Sequence, residues 1–137
     1  MLNDCPIIWK STLQEGMALS TMMAEYYALS TAMRDVLPFR TVVQTVAHAT
    51  GINSVQSTFK TTVHEDNARC CTLANLEPGR ITARSKHYAI RTHWFRSHLD
   101  DNTKVVKIDT AVQKADILTK PLVRSRFEAV RMLLCGW

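Results

Sequence analysis

With 137 residues, 46% of them apolar and 21% charged, the chain is long enough for one domain with a core of its own. Seventeen Lys and Arg against twelve Asp and Glu leave a formal charge of +5, which favours attraction to a polyanion but is too small to establish one as a partner. No basic segment leads into a long apolar one, and no stretch nears the roughly 20 apolar residues that span a bilayer, so secretion and membrane insertion are not expected.

Cys5, Cys70, Cys71 and Cys135 lack C-x-x-C spacing, and neighbours in sequence are poor disulfide partners, so reduced thiols are expected. These cysteines and the histidines His64, His87, His93 and His98 fit no zinc template. Internal repeats and low-complexity tracts are absent. Loop-like composition at residues 51–57, 77–85 and 100–103 divides the chain into four blocks.

The first block opens with Pro6-Ile7-Ile8-Trp9-Lys10-Ser11, read as a strand, and turns at Glu15-Gly16 into a short extended piece at residues 17–19. Ser20 or Thr21 can cap the helix that follows. Met22, Tyr26, Leu29 and Met33 recur at helical spacing, and Val36, Leu37, Val42, Val43 and Val46 carry the pattern towards Gly51, with a kink expected at Pro38. In the second block, residues 59–64 set Phe59, Thr61 and Val63 against Lys60, Thr62 and His64, the period of a strand with two faces. Asp66 and Asn67 then cap a short helix that Glu77-Pro78-Gly79 terminates. The third block, residues 85–99, reads as a basic amphipathic helix with Ile90, Trp94 and Leu99 inward and Lys86, Arg91 and Arg96 outward. The fourth holds a strand at residues 104–108, a polar turn, and a last helix from Arg124 with Phe127, Val130 and Leu134 on one face. Strands alternating with helices indicate an α/β layered domain rather than a bundle or sandwich.

Three acids stand out against this framework. Glu25 is the sole charge from Thr21 to Leu29 and marks either the solvent face of its helix or a functional carboxylate. Asp66 sits where a strand hands over to a helix; it is either a cap or a functional acid, and Glu65 could take the functional role while Asp66 caps. Asp116 opens a late helix, where a negative charge is favourable in its own right. Acids on a helix, at a strand end and at a late helix start can converge on one spot, and clustered carboxylates are tolerated when hard divalent cations sit between them.

The residues then match a family. Ala18-Leu19-Ser20-Thr21-Met22-Met23-Ala24-Glu25-Tyr26-Tyr27-Ala28-Leu29-Ser30 resembles the helix motif of Copia-type retrotransposon ribonuclease H. His64-Glu65-Asp66-Asn67, Arg84-Ser85-Lys86-His87-Tyr88-Ala89-Ile90-Arg91 and Ala115-Asp116-Ile117-Leu118-Thr119-Lys120-Pro121-Leu122 resemble the motifs that follow it, in order and over nearly the whole chain. Met23 and Ala89 depart from the pattern, each standing where the family usually has an acid.

The resemblance implies a ribonuclease H-like three-layer α/β fold over residues 1–137, incomplete and lacking the first two strands of its mixed sheet. It further implies that Glu25, Asp66 and Asp116 are catalytic metal ligands for Mg²⁺ or Mn²⁺, with the first catalytic Asp on a strand upstream. Two such ions activate water and stabilise the leaving oxygen when the RNA strand of an RNA–DNA hybrid is cut. Arg84, Lys86, Arg91 and Arg96 become phosphate contacts, the hybrid being read by shape and 2′-hydroxyls. The implied partners are the hybrid, a reverse transcriptase and the upstream polyprotein segment, without a small-molecule substrate. The implied setting is a cytoplasmic virus-like particle or the nucleus. With one acid and two strands upstream, the chain by itself is expected to be weakly stable and weak or inactive as a nuclease. The competing expectation is a relic that binds nucleic acid without chemistry.

Overall fold

A computed structural model describes residues 1–2, 4–51, 59–81, 86 and 89–137, with the side chains of Ile90 and Arg91 outside that description. The chain is mixed α/β and forms two compact units: a larger one, Gly16–Lys107, and a smaller one that joins Met1–Glu15 to Ile108–Trp137.

In the larger unit, helix α1 spans Thr21–Ala49, and Ser20 is its cap, the hydroxyl accepting the Met23 N–H at 3.2 Å. The 3.6-residue period brings Tyr26, Leu29 and Met33 into the core as the spacing predicts. That stripe does not continue to the helix end, since Val42 and Val46 are exposed. The helix includes Pro38 and closes at Thr50, with Gly51 in the left-handed region (φ 75°) that a side chain would make costly.

Strand β1, Thr61–Glu65, pairs in parallel with β2, Thr103–Lys107, Thr61 opposite Thr103 and Glu65 opposite Lys107. Parallel neighbours require a crossover, and the intervening chain supplies it with helix α2, Ala68–Ala74, helix α3, Ala89–Thr92, and a 3₁₀ turn, Trp94–His98. Helix α2 is tied to the sheet by the Asn75 amide, which donates to the Val105 carbonyl at 3.0 Å. Tyr26, Leu29, Met33, Cys70, Leu73, Ala74, Phe95 and Val105 form the core where α1, α2, the 3₁₀ turn and β2 meet.

The basic segment departs from the sequence expectation. Its described part is not one helix but α3 followed by the 3₁₀ turn. Trp94 and Leu99 do pack inward, while Ile90 and Arg91 fall outside the described side chains. Arg96, expected on the solvent face, is 2% exposed. At three residues per turn, positions 94 and 96 stand about 120° apart, whereas an α-helical projection sets them on nearly opposite faces. The buried guanidinium is met by hydrogen bonds: Nε donates to the Tyr26 hydroxyl at 3.0 Å, Nη1 to the Arg80 carbonyl at 2.8 Å, and Nη2 lies 3.4 Å from His93 Nε2.

In the smaller unit, residues 6–11 are not a strand; Ile7, Ile8 and Trp9 are exposed, and Ser11 donates its hydroxyl to the Leu118 carbonyl at 2.8 Å. An apolar run becomes a strand only when a neighbour accepts its backbone groups, and no ladder partner is present among the described residues. The extended piece expected at residues 17–19, in the larger unit, likewise forms no strand. Beyond β2 come helix α4, Asp116–Thr119, and helix α5, Arg124–Cys135. Val130 is buried and Leu134 half-buried, but Phe127, expected on the same inward face, is exposed.

Two outcomes test this packing. Tyr26→Phe leaves the Arg96 Nε–H buried without its acceptor and should cost about 2 kcal/mol in urea denaturation. Burial first, and the Arg96 charge second, hold His93 down from 6.5 to about 4. The folded state therefore favours neutral His93: its contribution is complete above pH 6.5 and is lost as pH falls from there through about 4. Urea midpoints across that window should fall with pH less steeply in His93→Asn than in the parent chain.

Candidate metal centre

The candidate acids divide between the two units, Glu25 and Asp66 in the larger and Asp116 in the smaller. Glu25 lies in the second turn of α1 and is half-buried, beside the fully buried Tyr26. It therefore does not mark a fully exposed helix face.

At the end of β1 the buried acid is Glu65, 6% exposed, while Asp66 is half-buried. The strand period explains the difference. Phe59, Thr61, Val63 and Glu65 fall on one side of the pleat, so the alternation that half-buries Val63 also turns Glu65 inward. Glu65 Oε1 accepts the Asn67 N–H at 2.9 Å, and Asn67 Oδ1 accepts the N–H groups of Arg69 and Cys70 at 3.1 and 3.2 Å. The side-chain cap of α2 is thus Asn67.

Cys70 is fully buried at the same corner. Burial pushes its thiol well above the usual range, the charge and hydrogen bond of Glu65 push it further, and the charge of Glu25 adds to both. The charges of Glu25 and Glu65 thus both act to raise this one thiol. Glu65 and Cys70 did not emerge as partners from the sequence reading, although the strand period, carried one step beyond Val63, contained the signal for Glu65. Cys71 is half-buried, and its thiol is raised by burial and by Glu65.

Asp116 opens α4 and is 3% exposed. Its oxygens are both engaged: Oδ1 by Lys120 Nζ at 2.8 Å and Oδ2 by Arg126 Nη2 at 2.9 Å. Lys120 lies one helical turn beyond Asp116, and Arg126 reaches back from the first turn of α5 while also donating to the Thr110 carbonyl at 2.6 Å. Neither cation was singled out from sequence, although Asp116 and Lys120 stand at the i, i+4 spacing that brings helical side chains together.

Of the four basic residues taken as phosphate contacts, Lys86 is exposed and Arg96 is buried with its donors committed inside the larger unit. Arg84 and the Arg91 side chain lie outside the described residues. Further cations line a shallow groove along the second half of α1, where Arg34, Arg40, Trp94 and His98 are accompanied by Asp100, so its charge is mixed.

Comparison with known proteins places these residues in context. Over 129 residues, 93% of the chain, it is 33% identical to the retrovirus-related Pol polyprotein from transposon TNT 1-94 of Nicotiana tabacum. Over 128 residues it is 31% and 30% identical to the corresponding polyproteins from transposons RE1 and RE2 of Arabidopsis thaliana. The chain is similar to a segment of retrovirus-related Pol polyproteins. It spans 8–9% of the length of these relatives. No family model and no solved structure matches it.

Carboxylate oxygens are the donors that hard divalent cations prefer, but the positive charges of Lys120 and Arg126 already meet both oxygens of Asp116 and oppose a further cation there. Within either unit, no three His, Cys, Asp or Glu side chains among the described residues are grouped to hold a metal ion.

The Cys70 environment yields a direct test. In the native chain a thiol-reactive probe should label the exposed Cys5 and Cys135 promptly, and Cys70 only after urea unfolds the larger unit. Prompt native labelling of Cys70 would contradict its complete burial.

Proposed function

We propose that this chain is part of the ribonuclease H domain of a Copia-type retrotransposon Pol polyprotein, with an incomplete ribonuclease H-like fold. In this reading Glu25, Asp66 and Asp116 bind Mg²⁺ or Mn²⁺, and the substrate is the RNA strand of an RNA–DNA hybrid. The observation that carries the proposal is the ordered set of four motifs, within a chain 93% of which aligns with Pol polyproteins. The element order adds support: the first motif forms the start of a long helix, the second a strand end, and the last a short helix after the second strand.

Divalent ions bound by these acids would supply Lewis-acid stabilisation of phosphodiester oxygens and a more acidic water. The chain's own part is to aim the carboxylates. Ser20 starts the helix that carries Glu25, and the Glu65–Asn67 hydrogen bond shapes the turn that presents Asp66. Lys86 and neighbouring basic residues would meet the hybrid's phosphates. The reverse transcriptase and adjoining polyprotein are the proposed partners, in a virus-like particle or the nucleus. The resemblance assigns a fourth carboxylate to an upstream strand, so cleavage is expected to need that strand beside these three acids.

A second reading, nucleic-acid binding without chemistry, is favoured by one feature: the Asp116 oxygens are both engaged by cations of the chain itself.

Titration of ¹⁵N-labelled chain with Mn²⁺ tests the first reading. Paramagnetic broadening should reach the amides of Glu25, Asp66 and Asp116 together, and Asp66→Asn should weaken binding at least about tenfold. Broadening confined to one acid, or unchanged by Asp66→Asn, would refute a shared ion. Salt-sensitive binding of a labelled hybrid with no Mn²⁺ effect would point to the second reading.

A further inference from the structure

The groove along the second half of α1 has a volume of about 740 Å³, within the range of ligand clefts, and lies away from the acids of the larger unit. Strands β1 and β2 run parallel; Glu65 and Asp66 stand at their carboxyl end, and Arg40 donates from the groove to the Thr103 hydroxyl at their amino end. At ~3.3 Å per residue the strands set these ends ~13 Å apart, and at ~1.5 Å per residue Arg34 and Gln44 stand ~14 and ~28 Å along α1 from Glu25. Arg34 is exposed and makes no hydrogen bond or ion pair among the described residues, whereas Arg40 is half-buried and tied to Thr103.

The aromatic lining is fixed in advance. The Trp94 indole N–H donates to Ser30 Oγ at 2.9 Å, and its ring meets Phe95 edge-on with centroids 6.3 Å apart. The exposed His98 ring packs against the same indole at 5.8 Å, so little ordering is left for a ligand to impose. Asp100 keeps the groove from being a plain cationic patch. Its Oδ1 accepts the Asn102 N–H at 2.8 Å, and that hydrogen bond, with the Arg40 charge in support, holds its carboxyl below the usual range. Asp100 is thus ionised beside Arg40, while Arg34 keeps its charge for a ligand.

We propose that this groove holds a nucleotide of a single-stranded nucleic acid, with Arg34 on the phosphate, the base against Trp94 and His98, and Asp100 accepting from an amino group of the base. The inference goes beyond the nuclease reading, since it uses none of the metal-binding acids. A bare phosphate or an acidic peptide would meet Arg34 but be repelled by Asp100. A nucleotide answers both charges, because an amino-bearing base is a donor that a carboxylate can accept from, and any base can stack on aromatic rings. In a duplex the base is paired and stacked, so its face and amino group are free only in an unpaired strand.

Fluorescence anisotropy of short labelled oligo(dC) and oligo(dT) with the 137-residue chain in EDTA tests this. The parent should prefer oligo(dC) by about fivefold, the scale of one net hydrogen bond. Arg34→Gln should weaken both alike and lower the slope of log affinity against log salt by about 0.7. His98→Ala should weaken both by about fivefold or more. Asp100→Asn keeps an oxygen for the Asn102 N–H but turns the other into a donor, and should remove the oligo(dC) preference. Equal binding of the two oligonucleotides by the parent, or affinity unmoved by Arg34→Gln and His98→Ala, overturns the proposal. So does loss of binding in EDTA, or Arg34-dependent binding of polyglutamate or of a hybrid in place of the single strands. Circular dichroism should show every variant folded; if His98→Ala is not, the salt slope of Arg34→Gln decides alone. These results beside a Mn²⁺ titration that shows no shared ion would keep this proposal and reject the metal reading.

Discussion

Charge leaves water only where hydrogen bonds or opposite charge take over from solvent, and much of this chain's local architecture answers that demand. Arg96 is the clearest instance in the larger unit. Its guanidinium is withdrawn into the core because the Tyr26 hydroxyl, the Arg80 carbonyl and the neutral ring of His93 lie around it. That arrangement ties the second turn of α1 to the 3₁₀ turn. In the smaller unit Asp116 is buried under the same rule, its charge met by Lys120 and Arg126 rather than by solvent.

Glu65 meets the demand in part through the backbone N–H of Asn67 and a neighbouring thiol. This couples the acidic corner to helix α2, because the residue that donates to Glu65 is also the helix cap. A loss of order at Asn67 would therefore reach both Asp66 and the packing of Cys70. Structure and candidate chemistry share the same few residues here, and a functional acid can be displaced by changes that never touch it.

The similarity to Pol polyproteins concerns a segment of much larger chains. Two features leave backbone and apolar groups uncovered among the described residues. The sheet has only two strands, so each keeps an edge without a ladder partner among the described residues. The apolar residues Ile7, Ile8, Trp9 and Leu13 are exposed, although their composition is that of a buried strand.

What the sequence determined by itself was mostly local. The Ser20 cap, the Tyr26–Leu29–Met33 stripe, both strands, the Asn67 cap and the last helix follow from contacts a few residues apart, which spacing encodes. Even the inward turn of Glu65 was implicit in the strand period. Three matters were left to the tertiary structure. Residues 6–11 did not become a strand, because pairing needs a partner that no local pattern can supply. Arg96 turned inward because the segment wound as a 3₁₀ turn beside Tyr26, a helix type that depends on what it packs against. The charges that neutralise Asp116 came from Lys120 and Arg126, and only the folding of α5 back towards α4 brings the second of these to a carboxylate ten residues earlier. Spacing specifies which residues share a face, whereas the partner that face meets is decided by long-range packing.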